Sequence, residues 1–253
     1  MGLSYSTINS YRSALSTTVY PVDGVVVGQH PFVIRLLKGM YHLKPPTPRY
    51  AVTWDVDKVV EYLLSMPSVK FLSLKDLTYK LVMLVSLTSA DRGQSLALMD
   101  INKKSFTNSK VTFYITELTK TSAPTKGCKE IVLPAFSDKR ICVKFILKNY
   151  LKRTKDIRGS CSRLFVSYKK PHKAVTSSTL ARWIKIVLCR SGITGYGAHS
   201  TRGAASSAAC QSGLPIPMIL RAADWSKEST FTRFYKRAVD DTKFGRAVLQ
   251  SVD

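Results

Sequence analysis

Two groups of residues in the C-terminal part of the chain have types and spacings that could carry chemistry. His199-Ser200-Thr201-Arg202 follows the turn Gly195-Tyr196-Gly197-Ala198 and opens a predicted helix. A spacing of three puts His199 and Arg202 on one helix face. An imidazole can exchange a proton near neutral pH, and a guanidinium fork matches two phosphate oxygens. The rest of that helix, Gly203 to Ala209, is made of Gly, Ala and Ser. Residues this small let other helices approach closely, so a His/Arg pair capping a tightly packed helix is the structural alternative. The second group surrounds Tyr235, which lies among Arg233, Lys236 and Arg237. Neighbouring cations favour a phenolate, the nucleophilic form of tyrosine. One more amphipathic helix with an aromatic core face would look the same. Three further residues precede these groups or fall between them. Arg92 lies in Ser89-Ala90-Asp91-Arg92-Gly93, Lys120 ends a strand that starts a hairpin, and Trp225 follows Asp224.

Several other designs are missing from the sequence. There is no G-x-x-x-x-G-K-[ST] loop for nucleotide hydrolysis and no H-E-x-x-H. Acidic residues number 16, and the late helices hold no carboxylate cluster for two Mg²⁺ ions. The five cysteines, Cys128, Cys142, Cys161, Cys189 and Cys210, show no C-x-x-C spacing. With no secretory signal at the N-terminus, they read as reduced thiols of an intracellular protein. No cofactor and no metal site is expected. No apolar run approaches the roughly 18 residues of a membrane span, so no membrane partner is expected.

The elements that must position these residues are mostly helical. Helices are predicted at about 4–20 and 31–43, the second with Pro31 in its first turn. Lys44-Pro45-Pro46-Thr47-Pro48-Arg49 cannot continue a helix and favours an extended linker. A domain boundary is therefore expected there, with residues 1–44 before it, a linker over 45–50, and 51–253 after it. Asp55 can cap a helix carrying Val56, Val59, Val60, Leu63 and Leu64. Residues 74–87 are apolar on most sides and belong at the centre of the core. Residues 111–118 and 129–133 read as strands, and 164–166 as a short one. Further helices are predicted at about 140–152, 176–190, 200–212, 216–223 and 228–239. The fold class is mostly α with a small β-sheet.

Charge points to the partner. The 253 residues carry 39 Lys/Arg and 16 Asp/Glu, a net of +23. Residues 101–190 hold 21 Lys/Arg and 4 Asp/Glu, a net of +17. Hydrophobic residues make up 45%, so this excess belongs to a folded surface and not to a disordered tail. A folded basic surface attracts a polyanion, nucleic acid being the commonest.

In chain order, Arg92, Lys120, His199-x-x-Arg202, Trp225 and Tyr235 form a series that resembles the tyrosine recombinase (phage-integrase) family. The recombinases of DIRS-type retrotransposons resemble it most closely, through the lead-in from Gly28-Gln29-His30-Pro31 to Trp54-Asp55-Val56-Asp57-Lys58-Val59. The resemblance covers nearly the whole chain. It implies a tyrosine recombinase catalytic domain over 51–253, preceded over 1–44 by a partial helical core-binding domain that clamps DNA. It implies that Arg92 and Arg202 grip the phosphate, Lys120 is the hairpin lysine, and His199 opens the His-x-x-Arg motif. Trp225 takes a position that is His in many relatives, and Tyr235 is the nucleophile. Asp91 precedes Arg92 where the family often has a small or apolar residue. The implied activity is metal-independent DNA cleavage and rejoining through a 3′-phosphotyrosyl link. It would act on double-stranded DNA as a homo-oligomer, a tetramer on DNA, in the nucleus. The alternatives are a catalytically inactive, recombinase-derived DNA-binding protein and a type IB topoisomerase-like relaxase.

Overall fold

The structure, a computed structural model, describes residues 2–47, 50, 52–123, 127–225 and 228–234, the side chains at 230, 233 and 234 excepted. The chain divides into two compact units, Met1–Ala51 and Val52–Asp253. The first contains α1 (Tyr5–Thr18), a 3₁₀ turn at Val27–Gln29 and α2 (Pro31–Leu43). The Ser4 hydroxyl caps α1 by accepting from the Thr7 N–H at 3.2 Å, as its short polar side chain favours. Pro31 begins α2, where its missing N–H leaves no helical bond unmade. The Tyr5 and Tyr41 rings meet edge to face at 5.4 Å and pin the two helices.

The second unit runs α3 (Val56–Ser65), α4 (Leu74–Ser89), α5 (Gly93–Ala97), β1 (Lys104–Phe106), β2 (Lys110–Ile115), β3 (Lys129–Pro134), α6 (Val143–Thr154), α7 (Ser177–Arg190), α8 (Ser200–Gln211), α9 (Ile216–Ala222) and α10 (Glu228–Phe234). Helix α4 is the axis of the core. Every residue from Leu77 to Ser86 is buried, and the helix packs against α6, α7, α8 and β3. Its hydroxyls survive burial by bonding back along the helix. Thr78, Ser86 and Ser89 donate to the carbonyls of Leu74, Val82 and Val85 at 2.7–2.8 Å. Lys80 is buried as well, with its ammonium donating to the Leu63 carbonyl at 2.6 Å, and burial lowers its pKa. At the start of α4, Ser73 and Asp76 cap each other reciprocally, and Asp76 also pairs with Arg190 at 2.9 Å.

The sheet is antiparallel in the order β1-β2-β3. Strand β2 pairs β3 from Lys110↔Pro134 to Ile115↔Lys129. Val111, Phe113 and Ile115 of β2 and Ile131 and Leu133 of β3 face the core, the period-2 alternation of a one-sided sheet. The fold class expected from the sequence is the one observed. Three details differ. Strand β2 stops at Ile115, and 116–118 are exposed. Of the strand expected at 164–166 an isolated bridge, Val166↔Ala174, is present, and the Leu164 carbonyl accepts from the Arg158 guanidinium. Helix α5 and strand β1 are present, though five and three residues are too few for a periodic signal. Among the described residues no helix is long and apolar enough to cross a membrane.

Candidate active site

The site is built on two left-handed corners and a strand end. Helix α4 ends at Ala90 with φ +49°, which turns the chain so that Asp91 is buried and Arg92 caps α5. Helix α9 ends in a Schellman motif, in which the Trp225 N–H donates to the Leu220 carbonyl and the Asp224 N–H to the Arg221 carbonyl. Asp224 takes the left-handed position of that motif, with φ +52°. The turn delivers Trp225 into a small apolar cluster with Ala90, Ile219, Ala223 and Phe231, stacked on Phe231 at 5.5 Å.

Arg202 ties the corners together. It is 2% exposed, and its Nε donates to the Ala90 carbonyl at 2.7 Å while its Nη2 donates to the Ala223 carbonyl at 2.6 Å. Its guanidinium also lies 4.9 Å from the centre of the Trp225 ring, within cation–π range. The small residues of α8 make this possible, since Ala204, Ser206 and Ser207 are buried where α8 packs on α4. The start of α8 is fixed by Ser200, whose hydroxyl donates to the Gly197 carbonyl at 2.7 Å and accepts from the Trp54 indole N–H at 2.8 Å. His199 occupies the N-cap of α8, one turn before Arg202, with its side chain exposed.

The charged groups converge on the carboxylate of Asp224. Lys129, the first residue of β3, sends its ammonium to Asp91 at 2.5 Å and to Asp224 at 3.1 Å. Arg92 Nη1 stands 3.9 Å from the same Asp224 oxygen, and the Thr121 hydroxyl donates to it. An open hollow of about 1000 Å³ adjoins this point, between the β2–β3 connection and the α9 corner, with Thr121, Lys129, Arg221 and Asp224 among its lining residues.

Arg92, Arg202 and Trp225 are therefore brought together, although up to 133 positions separate them. His199 sits on the same helix as Arg202. Lys120 is exposed in the turn after β2, next to Thr121. Tyr235 lies outside the described residues. No motif in the sequence marks Lys129, Asp224 or Thr121, and Asp91 stands out only as an unusual neighbour of Arg92. A signal for Lys129 existed. It shares strand parity with Ile131 and Leu133, so its side chain starts out on the inward face. Among the described residues no group of three or more His, Cys, Asp or Glu is placed to hold a metal ion.

No protein-family model matches the chain, and no curated protein matches it in sequence. Solved structures do match its fold. The integrase of transposon Tn1549, in complex with circular-intermediate DNA, superposes with a TM-score of 0.60 at 13% identity, covering 100% of this chain and 81% of that one. The XerA recombinase superposes with a TM-score of 0.57 at 17% identity, covering 98% and 82%. The XerH site-specific recombinase bound to its difH substrate gives 0.57 at 14% identity, covering 97% and 70%. The fold is that of the tyrosine recombinase catalytic domain.

Proposed function

We propose that the protein cleaves and rejoins double-stranded DNA through a 3′-phosphotyrosyl intermediate. The observation that carries this reading is the convergence of Arg92, Arg202 and Trp225 about one corner, beside an open hollow, in a fold shared with site-specific recombinases. A phosphodiester is anionic and repels nucleophiles, so fixed cations must neutralise its non-bridging oxygens as charge grows in the transition state. Arginine keeps its charge at any working pH, and its fork suits two oxygens. Tyr235 supplies the nucleophile. Its oxygen forms the bond to phosphorus, the bond to the 5′-oxygen breaks, and Lys120 delivers the proton to that leaving oxygen. His199 assists by accepting the phenol proton or by holding the phosphate, and Trp225 donates its indole N–H without exchanging a proton. The phosphotyrosyl link conserves the bond energy, so a 5′-hydroxyl reverses the step and rejoins strands without a nucleotide cofactor.

The residues on either side of the proline-rich segment 45–50 take the two roles of the family, a partial DNA clamp over 1–44 and the catalytic domain over 51–253. The lead-in from Gly28 to Val59 supports a place among DIRS-type retrotransposon recombinases, with a tetramer on nuclear DNA as the working assembly. A nicked suicide duplex tests the chemistry on a denaturing gel. The parent protein is expected to form a covalent adduct and Tyr235→Phe to bind the duplex without one. An adduct that survives in Tyr235→Phe refutes the assignment. Salt-sensitive binding with no adduct in either protein identifies an inactive, recombinase-derived DNA-binding protein. Relaxation of supercoiled plasmid by a monomer without site preference identifies a topoisomerase-like relaxase.

A further inference from the structure

We propose that the Asp224 carboxylate stands in the DNA-free protein where a DNA phosphate binds, so that Lys129 and Arg92 become a phosphate-binding pair once DNA displaces it. The inference rests on the DNA-cleavage reading above and deepens it. Asp224 Oδ2 is an anionic oxygen held as a phosphate oxygen would be. It accepts from the Lys129 ammonium at 3.1 Å and from the Thr121 hydroxyl, with Arg92 Nη1 at 3.9 Å. These donors come from the strand end, the hairpin connection and the α5 N-cap. The oxygen also faces the open hollow.

The two carboxylates on Lys129 differ in a way that suits exchange. The Asp91 side chain is 2% exposed and cannot leave without stranding a buried charge, so it is the fixed partner that aims the ammonium. The Asp224 side chain is 21% exposed and stands at the rim, where an incoming anion can replace it. The backbone adds an independent indication. Helices α7 and α8 end on the same Schellman hydrogen bonds as α9, and their left-handed positions are Gly192 and Gly213, with φ of +80° and +83°. Glycine carries no steric penalty there. The third motif places an aspartate in that strained conformation, with its side chain turned to the cations.

Asparagine tolerates the left-handed region as aspartate does, so Asp224→Asn removes charge without straining the corner. The experiment measures equilibrium binding of a fluorescein-labelled duplex in the Tyr235→Phe background, where no adduct contributes. Asp224→Asn is expected to bind about tenfold tighter, the equivalent of one charge-assisted contact no longer contested. Adding Lys129→Gln should cancel the gain. Sodium sulfate, compared with sodium chloride of equal ionic strength, should raise the unfolding temperature of the Asp224→Asn protein by more than the general salt effect it has on the parent. Binding that is equal or weaker in Asp224→Asn overturns the proposal. If the Asn protein fails to fold, Asp224→Gly, which suits the same φ, is measured in its place. Failure of both to fold marks the carboxylate as scaffold and overturns the proposal too. The adduct gel reads the cleavage assignment separately, so either can fail while the other holds.

Discussion

The stabilising role of Arg202 can be measured apart from any chemistry. Replacing it with alanine leaves the carbonyls of Ala90 and Ala223 without the donors that now meet them at 2.7 and 2.6 Å inside the protein. A hydrogen bond from a charged donor contributes about 1.5–3 kcal/mol. The guanidinium over Trp225 adds about 1–2 kcal/mol in a desolvated setting. Partial relaxation of the two corners returns some of this, so a loss of about 4 kcal/mol is expected. For a unit of this size, each kcal/mol moves the melting temperature by roughly 2–4 °C, which gives a fall of about 8–16 °C. Arg202→Lys separates charge from geometry. A lysine keeps the positive charge but cannot present two N–H groups in a fixed fork to carbonyls on different helix ends, so it should recover no more than about half of the loss. Scanning calorimetry of the parent, Arg202→Ala and Arg202→Lys proteins decides the matter. A melting temperature for Arg202→Ala within about 3 °C of the parent would refute the claim that this side chain joins the two corners.

Two further outcomes are expected. Lys80→Met removes the penalty that burial places on the ammonium but leaves the Leu63 carbonyl without its donor, so the two effects oppose and stability at neutral pH should change by no more than about 1 kcal/mol. The pKa of Lys80 is lowered by folding, so the penalty is complete below the folded value and fades as pH rises towards 10.5; denaturation curves should show the stability of Lys80→Met falling relative to the parent over that range. Duplex binding should weaken steeply with salt, by about 10³–10⁵ between 50 and 200 mM if 6–10 phosphates are contacted, and a flat salt titration would contradict a DNA-facing role for the basic region 101–190.

The sequence carries much of this architecture in periodicity and punctuation. Pro31 and Ser4 mark helix starts because each meets a local need of the first helical turn, whatever surrounds it. The central place of α4 is legible because it is apolar on nearly every side. Residue order picks out Arg92, Arg202 and Trp225, which the two corners bring together. Asp91 and Asp224 escape for a physical reason. Each lies beside a left-handed corner or within one, and a corner at Ala90 or Asp224 depends on how a helix end packs, not on a local pattern. The pairing of Lys129 with both carboxylates joins segments 38 and 95 residues apart, and no local spacing encodes it. The bond from Trp54 to Ser200, across 146 residues, is of the same kind.

The arrangement also accounts for why a chain with so large a cationic excess keeps its few carboxylates where it does. A phosphate-binding pocket made of fixed arginine and lysine is unstable in the absence of its anion, since like charges repel at close range and their desolvation is not compensated. Asp91 answers this permanently for Lys129, from a buried position beneath it. Asp224 answers it at the surface, shared between Lys129 and Arg92. Arg202 differs in that its Nε and Nη2 donate to neutral carbonyls. Asp224 balances the charges of Lys129 and Arg92 in this structure, and in the exchange proposed above a DNA phosphate would take its place. Long-range attraction of that polyanion would then fall to the surrounding basic surface.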